Sequence, residues 1–122
     1  MKIAIVGAEE SKWSGKQKED AYHILTALIS YWNRGHIFIS GRCPKGGIDI
    51  WGEFIANNYN MKTEIYPPEQ NSKEYYFKRN RQIAEAADIL YCLSPKGVWN
   101  GGLWTADYAE KLGKIVVRIE IV

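Results

Sequence analysis

The run Ile39-Ser40-Gly41-Arg42-Cys43-Pro44-Lys45-Gly46-Gly47-Ile48-Asp49 closes an apolar segment with a glycine-rich loop and then opens an amphipathic stretch. A loop of this kind leaves backbone N–H groups free at a helix N-terminus, where they hold an anion such as phosphate. Gly41, Gly46 and Gly47 either let a ligand approach the backbone or serve only a tight strand-to-helix turn. Arg42 and Lys45 add positive charge, and an arginine pairs with phosphate through two parallel hydrogen bonds. Asp49 stands where it caps the loop amides or accepts from a ribose hydroxyl, with loop ordering the weightier role. The spacing Gly41-x-x-x-x-Gly46 mimics a triphosphate-binding loop, but Gly47 and Ile48 occupy the places that require Lys and Ser or Thr. Gly7 is followed by Ala8, Glu9 and Glu10 rather than by the remaining glycines of a dinucleotide fingerprint.

Two further constellations carry chemistry. Lys78-Arg79-Asn80-Arg81 sets three cations around an amide, which is either a solvated helix face or a group directed at whatever the glycine loop holds. The preceding Tyr75, Tyr76 and Phe77 offer a surface for a base or ordinary packing. Trp99-Asn100-Gly101-Gly102-Leu103-Trp104-Thr105 places two glycines at a helix start, a second anion site with Thr105 one turn in. Trp13, Trp99 and Trp104, out of five Trp in 122 residues, wall a base pocket or a subunit contact. His23 and His36 lack the Cys, Asp or Glu spacing of a metal site, and no Ser, His and acid trio emerges, so no metal is expected.

These residues need a scaffold that brings them together. Lys2 to Val6 reads as a buried strand broken at Gly7, and apolar positions Tyr22, Leu25, Ile29 and Trp32, widened by Ile24 and Leu28, predict a helix over 16–34 ended by Gly35. His36 to Ser40 is a second strand, and the helix over 47–58 carries Ile50, Trp51, Phe54 and Ile55 on its inner side. Met61 to Tyr66 is a third strand closed by Pro67-Pro68, followed by a helix over 73–87. Asp88 to Leu93, a helix from Gly101-Gly102 to Leu112, and Lys114 to Ile121 complete the pattern. Short β-branched runs alternating with helices predict a single α/β Rossmann-like domain over 1–122: a five-stranded parallel sheet in the order 3-2-1-4-5, with helices on both faces. In such a sheet the ligand crevice lies beyond the carboxyl ends of the strands, where every glycine-bearing exit falls.

Sixteen Lys and Arg against fourteen Asp and Glu give a net charge of +2, too small by itself to argue for nucleic acid or an anionic membrane. A small anionic ligand remains compatible. Two cysteines, Cys43 and Cys92, are too few for a disulfide scaffold, and with no signal peptide or long apolar run the expected setting is a reducing cytoplasm. Cys43 in the loop is a reactive thiol or a bystander, and Cys92 belongs to the core.

On these residues the sequence resembles the SLOG superfamily, the Rossmann-like domains related to DprA/Smf and to the LOG "lysine decarboxylase-like" proteins, and most of all its small YspA/YpsA-like members. The likeness rests on the first strand, Ser40-Gly41 through Asp49, Arg79-Asn80-Arg81, Ala87-Asp88, and Ala109 with Gly113-Lys114. It implies a nucleotide or nucleotide-derived ligand contacted by Ser40, Gly41, Gly47, Asp49, Arg79 and Asn80, in a sensor or carrier that forms homodimers and requires no cofactor beyond that bound nucleotide. With Gly7, Arg42, Gly46, Gly101, Gly102 and Thr105 these make up the candidate ligand contacts. The expected arrangement has the Gly41 to Asp49 loop holding phosphate, Arg79 neutralising it and Asn80 orienting the ligand. Enzymatic relatives that cleave or transfer at N-glycosidic bonds use a carboxylate in the helix after the fourth strand. One alignment puts Thr105 there; another puts Trp104 where glycine belongs and Tyr108 where glutamate belongs. An N-glycosidase would then draw on Asp107, Glu9 or Glu10. The resemblance to DprA leaves a third alternative, a DNA-associated or structural protein.

Overall fold

The computed structural model describes all 122 residues. Five parallel strands, β1 (Lys2–Gly7), β2 (Ile37–Ser40), β3 (Lys62–Ile65), β4 (Ile89–Pro95) and β5 (Ile115–Ile121), form one sheet in the order β3-β2-β1-β4-β5. Helices α1 (Gly15–Trp32), α2 (Ile48–Asn58), α3 (Lys73–Ala86) and α4 (Gly101–Lys111) supply the crossovers, and a single 3-10 turn covers Glu10–Lys12. The chain moves from β1 to β2 to β3 in one direction and from β4 to β5 in the other. Right-handed crossovers therefore put α1 and α2 on one face and α3 and α4 on the opposite face.

The core has two layers that follow from this. Ile5, Phe38 and Leu93 meet Ala21, Leu25 and Ile29 of α1 and Ile48, Trp51 and Ile55 of α2. Ala4, Val6, Ile39, Leu90 and Cys92 meet Ile83 and Ala84 of α3 and Ala106 and Ala109 of α4. Strands buried on both faces read as continuous apolar runs, which is how β1 and β4 stand in the sequence.

Local signals set the ends. Ser14 caps α1 through a capping box: its hydroxyl accepts from Gln17 N at 3.2 Å and Gln17 Oε1 accepts from Ser14 N at 3.0 Å. The helix stops at Trp32, before the predicted Arg34, and Gly35 at φ +76° turns the chain into β2. The 3-10 turn was not legible from periodicity. β4 runs past Leu93 to Pro95 because its ladder with β5 continues, Lys96 N donating to Ile121 O at 2.9 Å.

One expectation is corrected. Ile50 and Phe54 do not face inward; they are 37% and 59% exposed. Ile48, Trp51, Gly52, Ile55 and Ala56 form the buried face of α2 instead, and the absence of a side chain at Gly52 admits the Phe38 ring. The helical stripe is therefore rotated by one position, to i, i+3, i+4, i+7 counted from Ile48.

The exits of β1, β2 and β4 pack on one another at the rim. Ile48 N donates to Ala8 O at 3.2 Å and Glu10 N to Lys45 O at 3.4 Å. A Cβ on Gly102 would fall 2.6 Å from Gly7 Cα, whereas one on Gly15 would meet nothing within 4 Å. Gly102→Ala is expected to cost roughly 1–3 kcal/mol, and Gly15→Ala to leave stability unchanged or slightly raised. Urea denaturation midpoints check the pair; equal effects would contradict close packing of the β1 and β4 exits.

Candidate functional site

Arg79 is the centre of the rim. It is 5% exposed, although it sits on α3, whose mean composition is polar. Its Nη1 donates to the Gly41 carbonyl, its Nε donates to Asn80 Oδ1 at 2.9 Å, and Nη1 stands 3.7 Å from Asp49 Oδ2. Tyr76 lies under the guanidinium at 5.6 Å. Gly41 is glycine because Arg79 occupies the space that a side chain there would take. A helix on the α3/α4 face thus reaches across the end of β2 and grips the loop that leads to α2.

Asp49 belongs to the same cluster. Its carboxylate is buried beside Arg79 and accepts from Cys43 N at 3.2 Å. Ser40 Oγ accepts from Arg42 N at 3.1 Å and donates to Asp49 O at 3.2 Å, and Gly46 N donates to Cys43 O at 3.0 Å. The amides of Arg42, Cys43, Gly46 and Ile48 are therefore already engaged within the chain. Part of the Gly41 to Asp49 loop is thus held by its own carboxylate, hydroxyl and carbonyl groups, while the Gly47, Asp49 and Ile50 amides have no partner in the chain. Asp49, Ser40 and Gly41 order the loop, and Gly46 and Gly47, at φ +76° and +84°, make its turn.

The start of α4 differs. Asn100 caps it, accepting from Leu103 N at 3.3 Å, and is itself held by Ser94 Oγ at 3.0 Å. The Gly101 and Gly102 amides have no partner in the chain. Asn80 is only 9% exposed, and its Oδ1 is held by Arg79, which fixes the side chain. Its Nδ2 donates to no protein group and would lie 3.7 Å from a Cβ on Gly101. Arg79 Nη2 is likewise unpaired. The unpaired Asn80 nitrogen thus stands beside the unpaired amide of Gly101 at the start of α4. Beyond Arg79 a cleft of about 200 Å³ opens between the end of β3 and α3, lined by Tyr66, Tyr75, Lys78 and Gln82 among others. Tyr66 gave no signal in the sequence beyond its place at a strand end. Its hydroxyl donates to Glu64 at 2.7 Å, which pushes its pKa up to about 12.

The remaining candidates disperse. Arg42 is exposed and paired to Glu53 at 2.6 Å. Thr105 is buried with its hydroxyl donating to Gly101 O at 3.0 Å, a bond within its own helix. Gly7 lies against Leu93 O and Ile48 and serves packing. Asp107 faces β5, where Arg118 holds it at 2.8 Å. Glu10 is exposed beside Lys18, and Glu9 is half-buried between Lys45 at 3.8 Å and Lys12 at 3.9 Å, next to Gly47. The tryptophans do not share a wall. Trp13 donates to Ala8 O and packs on Trp51, Trp104 stacks on Tyr108 and against Phe77 on the opposite face, and Trp99 is 61% exposed. Burial pushes the Cys43 thiol up and the Cys92 thiol to about 11. No three His, Cys, Asp or Glu side chains gather as a metal site, and no helix is long and apolar enough to cross a membrane.

No family model matches the chain, and no curated protein matches it.

Burial is the largest influence on the Asp49 carboxyl and raises its pKa, against the opposing pull of Arg79 and the Cys43 N–H. A raised folded pKa means that the native state binds this proton more tightly than the unfolded chain does. Its contribution to stability is then present at low pH and is lost as pH rises from the unfolded pKa through the folded one. Asp49→Asn removes the titration while keeping an acceptor for Cys43 N. The urea midpoint of the variant minus that of wild type is expected to increase as pH rises from the ordinary carboxyl range upward. A difference that is flat or falls over that range contradicts a carboxyl governed by burial.

Proposed function

We propose that this protein binds a nucleotide or nucleotide-derived ligand at the rim, with its phosphate on the N-terminus of α4, and acts as a sensor or carrier. The observation that carries the reading is Asn80: a side chain almost removed from water, fixed by Arg79, with its amide donor unpaired beside the unpaired Gly101 and Gly102 amides. The Asn80 amide nitrogen still reaches water at the rim, and an anion there would replace that hydration with charge-assisted hydrogen bonds. The positive end of the α4 dipole acts in the same sense. In this reading Arg79 Nη2 takes a second phosphate oxygen, and the cleft lined by Tyr66 and Tyr75 receives the base. The resemblance to SLOG proteins supports the same class of ligand, on the same Arg79 and Asn80.

Two substitutions probe the phosphate contact without removing a structural bond. Gly101 is the first residue of α4 and Asn100 before it is extended, at φ −157° and ψ 165°, so Gly101→Pro suits the helix start and deletes an N–H without breaking a helix bond, with Gly101→Ala as the control for the added carbon near Asn80. Asn80→Asp keeps the oxygen that Arg79 Nε needs and replaces the free donor by a carboxylate oxygen. Each is expected to weaken a nucleoside monophosphate by about tenfold or more and to leave the corresponding nucleoside unchanged, as read by isothermal titration calorimetry. Equal losses for the two ligands would reject the phosphate assignment. Of the three carboxylates considered for N-glycosidic cleavage Glu9 and Glu10 stand between the β1 and β2 exits, so the catalytic alternative requires base release from nucleoside monophosphates that Glu9→Gln or Glu10→Gln abolishes.

A further inference from the structure

We propose that two copies of this chain join through antiparallel pairing of their β5 strands, with the two-fold axis at Ile119. The two edges of the sheet are unlike. β3 is four residues long, its Lys62 and Glu64 are charged, Glu64 is tied to Lys2 at 3.0 Å, and Pro67-Pro68 follow. Natural sheets guard their edges in this way. β5 is seven residues long, pairs only with β4 and carries Ile115 and Val117 at 58% and 37% exposure.

The backbone fixes which residues a partner strand would meet. Lys96 N donates to Ile121 O, so Ile121 and every second residue before it direct N–H and C=O toward β4. Val116, Arg118 and Glu120 direct theirs outward. In an antiparallel pair the hydrogen-bonded positions of both strands must come from this outward set.

Charge then selects the register. Centring the pair on Arg118 sets Arg118 against its own copy, and centring it on Glu120 opposes two glutamates. An axis at Ile119 instead brings Arg118 opposite Glu120 twice and packs Ile119 on its copy and Val117 on Ile121. A slide to Val117 would match Glu120 with Lys114 but set Arg118 against Val116, so only the Ile119 register pairs Arg118 with Glu120. Within one chain Arg118 holds Asp107 and Glu110 on α4, while Glu120 has no basic partner. Cross-strand pairs of opposite charge stabilise a sheet and like charges directly opposed destabilise it. The dimer therefore supplies the partner that Glu120 lacks.

Sedimentation equilibrium of the whole chain tests this. Wild type is expected to dimerise reversibly, and Arg118→Glu and Glu120→Arg, both at exposed positions, are each expected to raise the dimer Kd by about tenfold or more with an unchanged far-UV circular dichroism spectrum. An equimolar mixture of the two variants should recover the wild-type dimer, because each interchain pair is then again of opposite sign. Independently, Ile119→Cys should form a disulfide-linked dimer under mild oxidation, and Val117→Cys should not, since only residues at the axis bring their Cα atoms within disulfide reach. A wild type that stays monomeric at millimolar concentration, a dimer indifferent to both charge reversals, or cross-linking through Val117 in place of Ile119 would overturn the proposal.

Discussion

A guanidinium removed from water must be neutralised and hydrogen-bonded where it lies, and Arg79 meets that demand only if three separate parts of the chain come to it. The Gly41 carbonyl at the end of β2, the Asp49 carboxylate at the start of α2 and the Asn80 amide on its own helix surround it. Removing one partner of a buried charge pair typically costs about 3–5 kcal/mol, because the other charge is left unsolvated. The cluster therefore fixes the position of α3 against the opposite layer of the sheet. It also fixes Asn80, whose oxygen faces Arg79 and whose nitrogen is thereby turned toward α4.

This constraint explains why two helix starts that look alike in sequence behave differently. Both α2 and α4 follow a strand and begin at glycines. At α2 the loop is long enough to fold over itself, and Asp49, Ser40 and the Ala8 carbonyl take up the Cys43, Arg42 and Ile48 amides, leaving those of Asp49 and Ile50 in the first turn without a partner. At α4 the cap is Asn100, which satisfies Leu103 and leaves the first two glycines unpaired. Both first turns leave two amides without a partner, and α4 differs in having the Asn80 side chain beside it.

The sheet was legible because its signals are local and repeated: short apolar runs on β1, β2, β4 and β5, set off by glycine or proline on at least one side, and helical stripes between them. Strand order followed from crossover handedness rather than from any residue. The site was legible in part. Arg79, Asn80, Gly101 and Gly102 are named from residue type and place, and Asn80 stands against both Arg79 and Gly101. The hold of Asp49 and Ser40 on the Gly41 to Asp49 loop was not readable, since it depends on where those side chains point. The facing of α2 was missed because Ile50 and Phe54 are as apolar as Ile48 and Ile55, and only the fit of Phe38 over Gly52 selects between the two stripes. Trp13 and Trp104 looked like parts of one wall but lie on opposite layers, a distinction that chain topology makes and composition does not.

The account stands on an anion filling the space between Asn80 and the first turn of α4. Amide chemical shifts of the ¹⁵N-labelled protein during titration with a nucleoside monophosphate test it most directly. The largest perturbations are expected at the Gly101 and Gly102 amides and at the Asn80 side-chain NH₂, saturating together, with Gly46 and Gly47 little affected. Perturbations centred on Gly46 and Gly47, or none at Gly101, Gly102 and Asn80, would contradict it.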